Sequence, residues 1–129
     1  MSDGSVDAAD VRAWSLASGL ARVAIGFGLL VAPERAARAL GFQEVSPSTV
    51  AVSRVAGGRD LVLGIATLAA LQDRNRLLAA TLANAAADAG DTLAFGAALG
   101  TSERRAGAFG LAAAAPSALA GIWTAWRLS

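Results

Sequence analysis

The stretch Arg54-Val-Ala-Gly-Gly-Arg-Asp60 places three ionised side chains and two adjacent glycines inside a long hydrophobic segment. An apolar run from Leu61 to Leu71 follows it directly. A charge in the middle of a lipid-facing helix costs about 2.5–3.5 kcal/mol, so it persists only where it is paired, hydrated or useful. The stretch therefore predicts a helix whose charges need partners elsewhere in the chain.

The composition favours a membrane protein. Hydrophobic residues make up 55% and charged residues 16% of the 129 residues, against about 45–50% and about 25% in soluble domains. The mean hydropathy is +0.51. Small residues are abundant, with 14 glycines, and helices rich in alanine and glycine that pack closely are typical of membrane bundles.

Several classes of chemistry are excluded by residues that the sequence lacks. It contains no Cys, His, Tyr or Lys, so thiol nucleophiles, zinc–thiolate sites, a histidine base and Schiff-base lysines are ruled out. Asp60, Asp88 and Asp91 have the oxygen atoms that a metal ion binds, but nearby arginines disfavour a cation there. No metal or cofactor is predicted. No basic run exceeds two residues, so nucleic-acid binding is not indicated.

The length predicts a single domain, which we expect to consist of four long helices and one short one. Residues 1–10 are polar and predict a short tail, and residues 11–129 predict the helical domain. The long helices are predicted at about 11–32, 47–71, 77–99 and 103–127. The segment 33–41, with Pro33 at its start and Gly41 at its end, predicts a short helix lying at the membrane surface.

An integral membrane four-helix bundle explains this pattern better than a soluble bundle. Charges break the apolar runs of three long helices, which keeps a soluble, alanine-rich bundle open as an alternative. A soluble bundle needs a polar stripe along most of its helices, yet residues 106–126 are 21 consecutive uncharged residues. Arginines near the helix ends divide four against four between the two sides, so the positive-inside rule predicts no orientation.

Six charges lie within the predicted spans: Arg22, Arg54, Arg59, Asp60, Asp88 and Asp91. Left isolated, they would together cost on the order of 15–20 kcal/mol, so we expect them to converge inside the bundle. Asn84, Asp88 and Asp91 share one helical face, and arginine offers a planar fork to carboxylates.

The helical angles separate the three charges of the opening stretch. Arg59 and Asp60 point about 100° apart, and Arg54 lies about 140° from Arg59. We therefore expect Arg59 or Asp60 to face the Asn84 side of the third long helix. Arg54 is expected to be the structural residue of the three.

The sequence resembles a group of small bacterial four-helix membrane proteins of unknown function that are loosely similar to the DoxX-like group. The resemblance rests on Gly26-Phe-Gly-Leu-Leu-Val-Ala-Pro33, on the pair Gly41-Phe42, on residues 54–64 and on Asp88-Ala-Gly-Asp91. It implies a membrane bundle in a bacterial inner membrane and no specific activity. Its recurrent Arg and Asp positions correspond here to Arg22, Arg59, Asp60, Asp88 and Asp91.

Three functions remain open from the sequence. The first is binding of a small lipophilic or anionic molecule in an internal pocket, where Arg22, Arg59, Arg54 and Asn84 would contact the ligand. The second is a cofactor-free membrane enzyme for isomerisation or cyclisation, with Asp88, Asp91 or Asp60 as acid/base and arginine stabilising charge. The third is a structural or accessory subunit. The expected partners are the lipid bilayer, a small ligand and, as an open alternative, further copies of the chain.

Overall fold

The computed structural model describes the backbone of residues 3–129 and the side chains of residues 8–129. These residues form five α-helices and no strand: α1 Asp3–Val31, α2 Pro33–Ala39, α3 Pro47–Ala70, α4 Arg74–Ala98 and α5 Arg104–Leu128. The predicted all-α class is confirmed, as is the short helix between the first two long ones.

Two helices begin earlier than the sequence predicts. α1 starts at Asp3, so most of the segment predicted as a tail is helical, because no proline interrupts it before Val11. α4 starts at Arg74 rather than at residue 77. There the Asp73 carboxylate accepts hydrogen bonds from the backbone N–H groups of Asn75 and Arg76, at 3.0 and 3.1 Å, which makes it the N-cap.

Two caps define the connection between α2 and α3, and the predicted end of the short helix at Gly41 is confirmed. Gly41 has a φ of 93°, which ends α2 in the left-handed conformation that glycine adopts without steric cost. Ser46 Oγ accepts a hydrogen bond from the Thr49 N–H at 3.1 Å, and Pro47 occupies the first position of α3. Together these residues fix where α3 begins.

α1 and α3 pack against each other through glycines. A Cβ atom at Gly26 would lie 2.7 Å from the Gly57 carbonyl oxygen, and one at Gly64 would lie 2.8 Å from that of Gly19. The helices run antiparallel. Gly19 and Gly26 are seven residues apart on α1, and Gly57 and Gly64 are seven residues apart on α3, so the two glycines of each helix lie on one face. The backbones approach as closely as small residues permit.

α4 and α5 form the second closely packed antiparallel pair. A Cβ atom at Gly107 would lie 2.9 Å from the Phe95 carbonyl oxygen, and one at Gly121 would lie 3.0 Å from Ala85 Cβ. The two pairs meet along α3 and α4, whereas α1 and α5 barely touch. A space is therefore left between α1 and α5.

The distribution of side chains is inverted relative to a soluble protein. Buried positions hold mainly small residues, whereas many large apolar side chains are exposed, among them Phe27 at 60%, Val55 at 75% and Leu93 at 77%. Two helices, over Ala8–Val31 and Arg104–Leu128, are long and apolar enough to cross a membrane. α3 and α4 contain more charged or polar residues and fall below that threshold.

Candidate functional site

Arg22 joins three helices at the centre of the molecule. From α1, its Nη1 donates to Asp60 Oδ1 on α3 at 3.0 Å, and its Nη2 donates to Asp88 Oδ1 on α4 at 2.5 Å. All three residues are at least nine-tenths buried. One guanidinium thus satisfies two carboxylates, for which its planar set of donors is suited.

Arg59 makes the second connection between α3 and α4. Its Nη1 and Nη2 donate to the two carboxylate oxygens of Asp91 at 2.8 and 2.7 Å, a bidentate pair. Nη2 and Nε also donate to Asp60 Oδ1, at 3.1 and 3.3 Å. This pair is only partly buried, since about a third of each side chain remains exposed.

Five charged groups thus form one connected set, which we call the charge cluster: Arg22, Arg59, Asp60, Asp88 and Asp91. With every group ionised, two guanidinium groups face three carboxylates, so the cluster carries one formal negative charge. Arg54 is exposed and forms no ion pair with any residue whose side chain the structure describes. Six charges were expected to converge, and five do.

Asn84 and Thr67 extend the polar face beyond the cluster. Asn84 Nδ2 donates to Thr67 Oγ1 at 2.8 Å, and the threonine hydroxyl donates to the Leu63 carbonyl oxygen. Asn84 is 7% exposed, and its Oδ1 has no hydrogen-bond partner among the described residues; the same holds for Arg22 Nε. Buried polar atoms without partners are costly and few in native proteins.

A partly open cavity of about 450 Å³ lies beside the charge cluster, within the size range of small-molecule sites, roughly 300–1,000 Å³. Its polar side is formed by the charge-cluster residues Arg22, Asp60, Asp88 and Asp91, together with Asn84, Thr67 and Thr81. The remaining wall comes mainly from α1 and α5, including Trp14, Ile25, Ala114 and Gly121, with Phe95 added from α4. The cavity occupies the space left where α1 and α5 barely touch.

The arrangement permits hydrogen bonding, charge pairing and proton movement, but no metal site is formed. Among the described residues, no three His, Cys, Asp or Glu side chains are placed to hold a metal ion. Asp60 and Asp88 each accept arginine hydrogen bonds through Oδ1 only. Their Oδ2 atoms accept none from the described part of the chain and can therefore receive a donor.

The structure brings together most of the residues that the sequence singled out. The expectation that Arg59 or Asp60 meets the Asn84 side of α4 agrees with the Arg59–Asp91 pair. Arg59 and Asp60 nevertheless belong to one network although they point in different directions. The length of the arginine side chain lets its guanidinium reach both Asp60 and Asp91.

The sequence-based prediction missed the contribution of α5. Gly110, Ala114, Ser117 and Gly121 all line the cavity, and their steps of four, three and four residues place them on one helical face. This spacing could have been recognised in the sequence as one face of a helix. Thr67 was also missed, although it lies seven residues after Asp60 and hence on the same side of α3.

Residues 19–127 match the family described as "Domain of unknown function (DUF4267)". The chain belongs to the DUF4267 family. The match contains every residue of the charge cluster and agrees with the expectation of a family without an assigned function. The relation to the DoxX-like group remains a resemblance. No curated protein and no solved structure matches the chain, so the activity of this DUF4267 chain has to be argued from its own site.

Proposed function

We propose that the protein is an integral membrane protein whose four long helices span the bilayer and enclose a binding site for a small lipophilic molecule. The observation that carries the proposal is the nature of the exposed residues along those helices. This observation holds for α3 and α4 as well as for the two helices that are long and apolar enough to cross a membrane.

The exposed positions of the four long helices form an apolar belt, which we define as those within residues 13–31, 51–69, 79–97 and 106–126. Every exposed position in these ranges is apolar or glycine, with the one exception of Arg54. Each range has about 20 residues and so rises about 30 Å as a helix, which is the thickness of the hydrocarbon core.

The average hydropathy of α3 and α4 understates their fit to a bilayer. Their charged residues, apart from Arg54 and the terminal Arg74 and Arg76, point inward and pair with one another or with Arg22 of α1. Their exposed side chains include Val62, Ile65, Leu82 and Leu93. A helix whose charges are paired in the interior can face lipid with an apolar surface, and Arg54 is the one exposed charge within the belt positions of α3.

The cavity supports the second half of the proposal. Most of its exposed wall is apolar, and its charged groups come from the charge cluster; an apolar wall with a few polar groups is the usual composition of a small-molecule site. Of the two ligand classes considered from the sequence, the charge cluster disfavours an anion, because it already holds more carboxylates than arginines. A lipophilic molecule that enters between α1 and α5 fits the lining better.

Photolabelling with 3-trifluoromethyl-3-phenyldiazirine, an apolar carbene precursor, tests the proposal in proteoliposomes. We expect saturable labelling of cavity residues such as Ser18 and Ala114, in addition to non-saturable labelling of the apolar belt. Ala113→Trp, which places an indole at the cavity wall, should abolish the saturable part. Ala112→Trp is the matched control, because Ala112 is exposed and does not line the cavity.

Labelling confined to the apolar belt, without saturation and unchanged by Ala113→Trp, would contradict ligand binding. The charge cluster would then be a structural device that fixes the register of α1, α3 and α4. That result corresponds to the structural-subunit alternative.

A cofactor-free enzyme is the second candidate, favoured by the unused Oδ2 atoms of Asp60 and Asp88 beside the cavity. A carboxylate placed there could take a proton from a bound molecule and return it to another atom, with Arg22 stabilising the charge that develops. Under this proposal, Asp88→Asn folds and still shows saturable labelling, but no longer converts the ligand. If Asp88→Asn loses the saturable labelling and the parent protein converts no ligand, the result favours binding alone.

A further inference from the structure

The charge cluster leaves an imbalance that a ligand can correct. Two guanidinium groups and three carboxylates are linked by hydrogen bonds in the interior, and among residues 8–129 no other titratable side chain lines the cavity beside them. Three of these groups, Arg22, Asp60 and Asp88, are at least nine-tenths buried, and a net charge largely removed from water is costly. One positive charge delivered to this site would bring it to neutrality.

The hydrogen-bonding atoms without partners also favour a ligand that donates hydrogen bonds. Asn84 Oδ1 is a buried acceptor without a partner among the described side chains. Asp60 Oδ2 and Asp88 Oδ2 are less buried, and they too accept no hydrogen bond from those side chains. Arg22 Nε is the corresponding unpaired donor. A bound head group that mainly donates hydrogen bonds has Asn84 Oδ1 and the two carboxylate Oδ2 atoms as acceptors, whereas one that mainly accepts has only Arg22 Nε as a donor.

The apolar part of the cavity indicates the chemistry of the rest of the ligand. Trp14 and Phe95 contribute aromatic rings to its lining, and Ile25, Leu29 and Leu40 contribute aliphatic groups. Aromatic faces also attract cations. An apolar body with one charged head therefore matches the two halves of the cavity.

We propose that the ligand class of this cavity is a lipophilic primary amine, bound as its ammonium form with the head group at the charge cluster and the apolar body between α1 and α5. This inference rests on the proposed binding function and narrows it to one chemical class. Binding of the ammonium group requires ionised carboxylates, so an amine and a proton compete for the same site.

Isothermal titration of the full-length protein in matched detergent micelles tests the head group with four compounds that share one body: 4-phenylbutylamine, 4-phenylbutan-1-ol, 4-phenylbutanoate and trimethyl(4-phenylbutyl)ammonium. We expect the amine to bind about tenfold or more tightly than the alcohol, the size of one charge-assisted hydrogen bond. The butanoate should bind most weakly. The quaternary ion, which carries charge without N–H donors, should fall between amine and alcohol.

The pH dependence provides a test that does not rely on a variant folding. The groups facing the head are Asp60, Asp88, Asp91, Arg22 and Arg59. Aliphatic amines have a pKa of about 10 and remain charged below neutrality, so lowering the pH should weaken amine binding by protonating the carboxylates. Alcohol binding should stay constant over the same range.

Asp88→Asn, which balances the cluster at two charges of each sign, should reduce the preference for amine over alcohol to near one. Equal affinities of amine and alcohol at every pH, or tighter binding of the butanoate, would overturn the amine proposal while leaving lipophilic binding intact. Failure of all four compounds to bind, together with the absence of saturable photolabelling, would overturn the binding function itself.

Discussion

At the scale of single residues, Arg22 is the group on which the interior depends most. Among the described residues, it is the only one that donates hydrogen bonds to both Asp60 and Asp88, and those carboxylates lie on different helices. Removing one partner from a buried ion pair leaves an uncompensated charge, which costs more than the pair contributes. The arginine therefore stabilises the packing of α3 and α4 as well as the site.

Arg22→Met should lower the free energy of unfolding by about 3–5 kcal/mol, because Asp60 and Asp88 then lose their shared donor. Denaturant titration in detergent, followed by circular dichroism, measures it. Arg54→Met is the matched control: Arg54 is exposed and has no ion-pair partner among the described residues, so a change within about 0.5 kcal/mol is expected. Equal stability of Arg22→Met and the parent would contradict the assignment.

The residue types and their spacing allowed most of the charge cluster to be predicted. The cost of isolated charges in a membrane required convergence, but Arg54, which was expected to converge with the others, is exposed and has no ion pair among the described residues. The exact pairings were not predictable, because an arginine side chain is long enough to reach partners on either side of its own helical direction. The link from Arg59 to both Asp60 and Asp91 is such a case.

At the scale of the helices, glycine determines how closely α1 and α3 approach. Gly57 lies against α1, where a Cβ atom would be 2.7 Å from Leu29 Cβ and 2.8 Å from the Gly26 carbonyl oxygen. Its neighbour Gly58 has no atom within 4 Å of that position. The adjacent glycines of the opening stretch thus have different roles, which their sequence alone did not distinguish.

Gly57→Ala should destabilise the protein by about 1–3 kcal/mol, because the added methyl group forces the two helices apart. Gly58→Ala should be neutral or stabilising by up to about 1 kcal/mol, since alanine favours a helix over glycine. Thermal unfolding of both variants in the same detergent gives the comparison. If the two changes have the same effect, the close contact between α1 and α3 is not formed as described.

Helix positions were predicted well where a local signal marked them. Ser46-Pro47 and Gly41 fixed the ends around the second connection, whereas Asp73 was passed over as a cap and α4 was started three residues late. No local signal of this kind predicts the cavity. It arises because α1 and α5 fail to pack together, and the separation of two helices is a property of the whole arrangement.

At the scale of the whole molecule, a paired interior and an apolar exterior account for the unusual composition. The small residues serve close packing, the large apolar residues form the belt, and the charges inside compensate one another except for one carboxylate. α3 and α4 are the decisive elements, because their average composition does not identify them as spanning helices. Their exposed residues do favour contact with lipid.

The most direct test is spin-label accessibility in liposomes, which the absence of cysteine makes simple. Single cysteines would replace Val62 on α3 and Leu93 on α4, both in the apolar belt, and Asn75 beside the turn between these helices. We predict that labels at Val62 and Leu93 collide mainly with dissolved oxygen, and the label at Asn75 mainly with a water-soluble nickel chelate. Equal access of the nickel chelate to all three positions would contradict a membrane-spanning bundle of four helices.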